Sequence, residues 1–232
     1  MYSTIKNGWP LPCIMQDPLN PVVCTNTRGA IMARNGLTSR LFNKIFVRER
    51  HVCPWWLCFT FDNIFRKLMH NPEKILKTFV IEGSTVLDIG CGMGYFTIPL
   101  ARMVGEKGQV IAVDIQEQML SALQRRAKRA GLEKRIVLHL TTQESLAINT
   151  KADFALAFWI IHEVPDRLHF LEQITFILKP GAMFLLVEPT IHVNREMYEE
   201  TVREAQKVGF ILRGNPHIFL SRSALFSTPQ SR

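Results

Sequence analysis

Residues 86–94 read VLDIGCGMG, and the chain on either side is interpreted from this stretch. An apolar run carrying one carboxylate, Asp88, leads into glycines at 90, 92 and 94. Without a Cβ, glycine lets a loop turn tightly and lets a ligand approach the backbone. Where such a loop opens a helix, the unpaired N–H groups of that helix face a carboxylate or phosphate. The carboxyl end of a strand is also where open α/β sheets bind ligands. A tight strand-to-helix turn with no ligand is the plainer alternative. Downstream, QVIAVD ends in Asp114, placed to accept hydrogen bonds from both hydroxyls of a ribose. A dinucleotide fingerprint would need glycine at 95, where the chain has Tyr95, and no GKS or GKT follows to make a phosphate loop. The pattern is GxGxG, with Asp88 beside it offering a carboxylate to an ammonium group. An amino-acid-bearing nucleoside fits that combination better than a pyrophosphate does.

Outward from this stretch, β-branched runs alternate with helical periods, the sign of a parallel sheet with crossover helices. Strands are expected at TVLDIG (85–90), QVIAVD (109–114), RIVLHL (135–140), DFALAFW (153–159) and AMFLLVE (182–188). Helices are expected over 95–104, up to Gly131, over 166–178 where KPG stops it, and over 196–208. GFILRGNPHIFLSRSALF (209–226) holds two strands too close for a parallel crossover, so they form an antiparallel hairpin. Before the sheet, Asn71 caps a helix whose first position is Pro72. Residues 36–51 make an amphipathic helix with a basic row of Arg40, Lys44 and Arg48, and residues 1–36 form a flexible arm.

Composition sets the bounds. The 232 residues are 47% hydrophobic, enough for one substantial core. No apolar run approaches the roughly 20 residues of a membrane span, and prolines interrupt the opening where a signal peptide would be apolar; a cytoplasmic protein is expected. Cys13, Cys24, Cys53, Cys58 and Cys91 are odd in number and irregular in spacing, which favours free thiols over disulfides or a zinc site, and no metal is expected. A net charge of +8 favours anionic partners without naming one. Its densest run, QRRAKRAGLEKR (124–135), reads as a solvated helical face ahead of a binding patch.

VLDIGCGMG, VIAVDIQEQML, DFALAFWIIHEVPD and LKPGAMFLLVEP together resemble the class I S-adenosylmethionine-dependent methyltransferases, over roughly residue 72 to the C-terminus. The likeness is to the small-molecule branch that holds quinone-biosynthesis and arsenite methyltransferases. It implies a Rossmann-like, doubly wound seven-stranded sheet of order 3-2-1-4-5-7-6 with strand 7 antiparallel, occupying residues 81–232 behind an N-terminal helical and aromatic cap at 37–80. It implies S-adenosylmethionine as cofactor. Asp88, Gly90, Cys91, Gly92 and Gly94 would hold its methionine end, Asp114 its ribose and Ile115 its adenine. Glu144 or Gln143 would stand near the adenine amine, with Phe158 completing the site. Among family members that methylate adenine or amide nitrogen, strand four is followed by [DN]PP[YF]; this chain has FWIIHEVPD there, and its one Pro-Cys pair, Pro12 and Cys13, lies in the arm. A small-molecule acceptor is therefore expected and a nucleic-acid base disfavoured.

Methyl transfer asks the protein mainly for alignment, and for a base only when the acceptor carries a proton. His162 and Glu163 follow strand four, and Glu188 and His192 follow strand five, at the sheet edge where the methyl is expected. Capping or loop hydrogen bonds are the alternative role for all four. Trp55, Trp56 and Phe59 are candidates for a lid over substrate, or they pack the cap onto the sheet. Cys53 and Cys58 would add thiols to that lid only if they converged. Two other readings stay open: a non-catalytic S-adenosylmethionine binder, and a membrane-surface enzyme for a lipid-like or quinone acceptor. The sequence leaves the oligomeric state undetermined.

Overall fold

Strands form where apolar, β-branched runs lie between turns, and the first of them becomes an interior strand of a seven-stranded sheet. The computed structural model describes residues 69–230. The strands are β1 (Thr85–Ile89), β2 (Gln109–Asp114), β3 (Ile136–Leu140), β4 (Ala152–Phe158), β5 (Leu178–Pro189), β6 (Ile211–Gly214) and β7 (Ser221–Ser227). Their spatial order is β3-β2-β1-β4-β5-β7-β6, the expected one. β1 pairs in parallel with β2 and β4, while β7 runs antiparallel to both β5 and β6. Chain order reverses direction in the sheet at β1, so the carboxyl ends of β1 and β4 flank the crevice where such sheets bind ligands.

Among the described residues five helices cover the sheet: α1 (Pro72–Leu76), α2 (Thr97–Met103), α3 (Glu117–Arg129), α4 (Arg167–Ile177) and α5 (Arg195–Lys207). Asn71 caps α1 by accepting from Lys74 N, and Pro72 takes the first helical position as expected. Asp166 caps α4 through His169 N, and Asn194 caps α5 through Met197 N. Because side chains alternate across a strand, each central strand feeds two cores. Val86, Val110, Phe154, Leu156 and Leu185 meet α1, α2 and α3 on one face. Leu87, Ile111, Ala155, Phe184, Leu186 and Phe226 meet α4 and α5 on the other. Burial on both faces is why these strands read as continuous apolar runs.

Two boundaries differ from expectation. The helix after the glycines begins at Thr97 rather than Tyr95, because the loop spends residues 90–96 on turns. β5 begins at Leu178, drawing the KPG turn into the sheet. There the pairing with β4 slips, from Ala152 opposite Leu178 to Phe154 opposite Met183. Gly181 N donates to Pro229 O and the Thr228 hydroxyl to Lys179 O, which satisfies backbone groups the slip leaves outside the β4 ladder. The arm at 1–36, the helix expected over 36–51 and the lid candidates Trp55, Trp56 and Phe59 lie outside the described residues.

Gly94 joins the loop to both neighbouring helices. Its φ is +88°, and a Cβ there would collide with the Leu123 side chain of α3. Gly94→Ala should therefore destabilise the fold by about 2–4 kcal/mol, from strain at positive φ added to overpacking. A urea midpoint unchanged from the parent would contradict this placement.

Candidate active site

The glycine loop is built on the ends of two strands. Gly90 N and Cys91 N both donate to Val113 O at 2.9 Å, tying the end of β1 to the end of β2. Asp114 then straps the loop down: Oδ2 accepts from Gly92 N and Oδ1 from Gln116 N, each at 2.9 Å. Burial raises the pKa of this carboxyl, and the bonds from Gln116 and Gly92 work against the rise. Each oxygen keeps a second lone pair, so two backbone bonds still leave Asp114 able to accept from a ligand. A Cβ on Gly90 would lie 2.7 Å from Ile160, so the segment after β4 closes over the loop at that point. A Cβ on Gly92 would meet nothing within 4 Å, so the backbone there faces open space a ligand can fill.

Three of the expected cofactor residues sit beneath this surface. Asp88 is 2% exposed and accepts from the Thr97 hydroxyl at 2.6 Å. Its carboxylate braces the loop against the start of α2. Cys91 packs in the core; burial first, then the charges of Asp88 and Asp114, hold its thiol well above the usual range. Phe158 packs against Phe96 with ring centroids 4.4 Å apart. By contrast Ile115, directly after Asp114, is 36% exposed, and Gln143 and Glu144 are exposed on the turn after β3. The Glu144 carbonyl accepts from Gln173 Nε2, which anchors that turn to α4.

The four polar candidates converge at the carboxyl ends of β4 and β5. Glu188, 1% exposed, accepts from His162 Nδ1 at 2.5 Å and from His162 N at 3.2 Å. Burial lowers the basicity of His162, but the bond and charge of Glu188, with the charge of Glu163 behind them, outweigh it and raise the pKa above the usual 6.5. With Nδ1–H committed to Glu188, the imidazole's proton exchange is left to Nε2. The His192 ring is nearly parallel to that of His162, 6.1 Å between centroids.

Several residues at this edge carry no sequence signal. Trp159 has φ +62° while its N–H donates to Val187 O at 2.7 Å and its indole to Ser221 Oγ at 3.0 Å. A non-glycine residue held there is a strained position of the kind found at functional sites. Thr97, which meets Asp88, also emerges only from the fold. Among the described residues no helix is long and apolar enough to cross a membrane.

Residues 81–217 match the family described as "Methyltransferase domain". A demethylmenaquinone methyltransferase of Bacillus cytotoxicus is 33% identical over 119 residues, 50% of this chain and 50% of that one. The chain thus spans about half the length of the curated relatives it matches. A solved SAM dependent methyltransferase from Aquifex aeolicus superposes with a TM-score of 0.68 at 25% identity, over 76% of this chain and 99% of that one. Aeropyrum pernix fibrillarin, solved with natively bound S-adenosyl-L-methionine, shares the fold at a TM-score of 0.55 and 14% identity, over 69% of this chain and 74% of that one.

The His162–Glu188 pair makes stability depend on pH with a definite sign. A histidine whose folded pKa lies above its unfolded value contributes stability in full below pH 6.5 and loses it as pH rises through the folded value. The denaturation free energy of the parent, relative to His162→Gln, should therefore fall as pH is raised from 6.5 upward. A difference that stays flat or grows would show that the pair does not hold the proton.

Proposed function

The chain belongs to the methyltransferase-domain family, and from that premise we propose that it moves a methyl group from S-adenosylmethionine to a small organic acceptor. The observation that carries this reading is the His162–Glu188 pair, standing at the carboxyl edge beside a glycine loop that Asp114 holds open. A pure binding protein needs a cofactor cradle, whereas this edge also has a histidine oriented by a buried carboxylate, the arrangement of a general base.

The residues present fit the cofactor. The open face at Gly92 accommodates a ligand against the backbone, Asp114 would accept from the ribose hydroxyls, and Ile115 offers exposed apolar surface to the adenine. Gln143 or Glu144 would meet the adenine amine from the turn after β3. When bound, S-adenosylmethionine supplies a methyl group already activated by its sulfonium. What remains for the chain is to orient the acceptor and take its proton. His162 does the second at Nε2, while Glu188 keeps the ring in one tautomer and stabilises the imidazolium that forms. Glu163 adds its charge to this exchange, and the His192 ring lies nearly parallel beside it. Because the pKa of His162 is raised, its basic form gains population only as pH climbs above 6.5.

For the acceptor, we favour a hydroquinone or related phenol. The similarity to demethylmenaquinone methyltransferase points to a ring that becomes a strong nucleophile once a hydroxyl proton is removed. That is the step the His162–Glu188 pair serves. Exposed Ile191, Phe219 and Leu220 on the loops at the same edge suit a flat apolar acceptor. A nucleic-acid base is the weaker choice, since among the described residues this edge presents apolar side chains and histidines in place of a phosphate-binding row.

Two measurements test the proposal. Asp114→Ala should weaken S-adenosylmethionine binding at least about tenfold by calorimetry, since it strips an acceptor from buried ribose hydroxyls and frees Gly92. With reduced short-chain demethylmenaquinone as acceptor, His162→Gln should lower turnover by about 10²–10⁴ while leaving cofactor affinity near the parent value. The parent rate should rise with pH above 6.5 and the variant rate should not. Equal rates in parent and variant across that range would leave alignment, without a base, as the mechanism.

A further inference from the structure

We propose that Trp159 is the positioning residue for the base: its side chain is turned to the face of the sheet away from Glu188, and His162 fills the place it vacates beside that carboxylate. This deepens the methyltransferase reading above and rests on its assignment of His162 as the base.

β4 and β5 run in parallel with Phe158 opposite Val187, so the next pair along the ladder is Trp159 and Glu188. Side chains alternate across a strand, and from residue 154 to 158 β4 follows the rule. Phe154, Leu156 and Phe158 pack in the core under α1, α2 and α3, while Ala155 and Ala157 pack in the core under α4 and α5. Along β5, Leu186 belongs to the α4–α5 core and Val187 to the other, so Glu188 returns to the α4–α5 side. A regular continuation of β4 would lay the Trp159 indole on that side too, beside Glu188. The indole instead packs with Phe158 against the opposite core, ring centroids 5.5 Å apart. The backbone makes this reversal at φ +62°. Ile160 and Ile161 then enter the α4–α5 core, and His162 Nδ1 meets Glu188 at 2.5 Å.

A bulky residue at positive φ is costly and persists only where its surroundings hold it. Here several contacts do so. The Trp159 N–H donates to Val187 O at 2.7 Å, which keeps the backbone on β5. The indole reaches past the end of β5 to β7, where Nε1 donates to Ser221 Oγ at 3.0 Å. Ser221 lies opposite Pro189, the residue after Glu188. Its own hydroxyl proton goes to Phe219 O at 3.2 Å, which leaves its lone pairs to the indole. The His70 ring meets the Trp159 ring edge-on at 5.0 Å. Trp159 and His162 thus grip the end of β5 from opposite faces.

Around the His162 ring stand Glu188 from β5, Glu163 from its own turn and His192 from the loop after β5, with Arg222 opposite Glu188 on β7. Glu188 holds the hydrogen bond that raises the His162 pKa, so the titration of this histidine reports whether the ring is in place. Trp159→Phe keeps an aromatic ring and removes the indole N–H, and Ser221→Ala removes the acceptor at small cost in bulk. In the full chain, NMR should show His162 titrating at lower pH in each variant than in the parent. Turnover of reduced short-chain demethylmenaquinone should fall about 10–100-fold, with KM and S-adenosylmethionine affinity near the parent values. Because both variants break one contact, the double variant should be no worse than either single one. A His162 titration unchanged in either single variant would overturn the inference, whatever happens to stability. If the titration moves as expected but the parent does not methylate the quinol, the acceptor assignment falls and the positioning role of Trp159 stands.

Discussion

Everything at the functional edge depends on how β1 and β2 end together. One carbonyl, Val113 O, accepts both Gly90 N and Cys91 N, and one carboxylate, Asp114, accepts from Gly92 N on one side and Gln116 N on the other. These bonds hold the glycine loop in a shape that non-glycine residues would resist, and they do so from residues whose own positions are set by the parallel ladder. Beneath them Asp88 and Thr97 close the loop onto α2. A loop over-determined in this way is preorganised, and little ordering is left for a ligand to impose.

The second dependency is electrostatic. A carboxylate as buried as Glu188 is costly unless its oxygens are satisfied, and in this fold His162 satisfies both. The cost of burying the pair is recovered as orientation, because the ring cannot turn without leaving a buried charge alone. The same coupling holds His162 protonated to higher pH, so the strength of the base and the pH at which it becomes available are set by one contact. The strained backbone of Trp159, three residues earlier, aims the turn that presents this histidine.

Packing explains why the edge is available for chemistry at all. The two apolar cores fill both faces of the sheet and leave polar groups little choice but the carboxyl ends of the strands. The antiparallel β7 places Ser221 opposite Pro189, which brings the loop between β6 and β7 to the same edge as the loop after β5. The hydrogen bond between the His70 ring and Phe219 O, at 2.7 Å, then ties the beginning of the described chain to that loop. Residues from four distant parts of the sequence thus meet around one crevice.

The sequence alone determined the order of elements, the direction of each strand and the place of the crevice. Those follow from short-range physics: β-branched runs, a capped helix such as that at Asn71, and a hairpin too short to cross over. The glycine spacing and Asp114 were legible for the same reason, since both sit at fixed offsets from a strand end. The extra length of β5 was not, because its KPG turn joins the sheet only through partners at Thr228 and Pro229. Nor could the sequence show that Asp88 meets Thr97 beneath the loop, or that His162 and Glu188 are hydrogen-bonded. Burial and hydrogen-bond partnership are properties of residues brought together across long separations. Only the tertiary structure decides which carboxylate is enclosed and which histidine answers it.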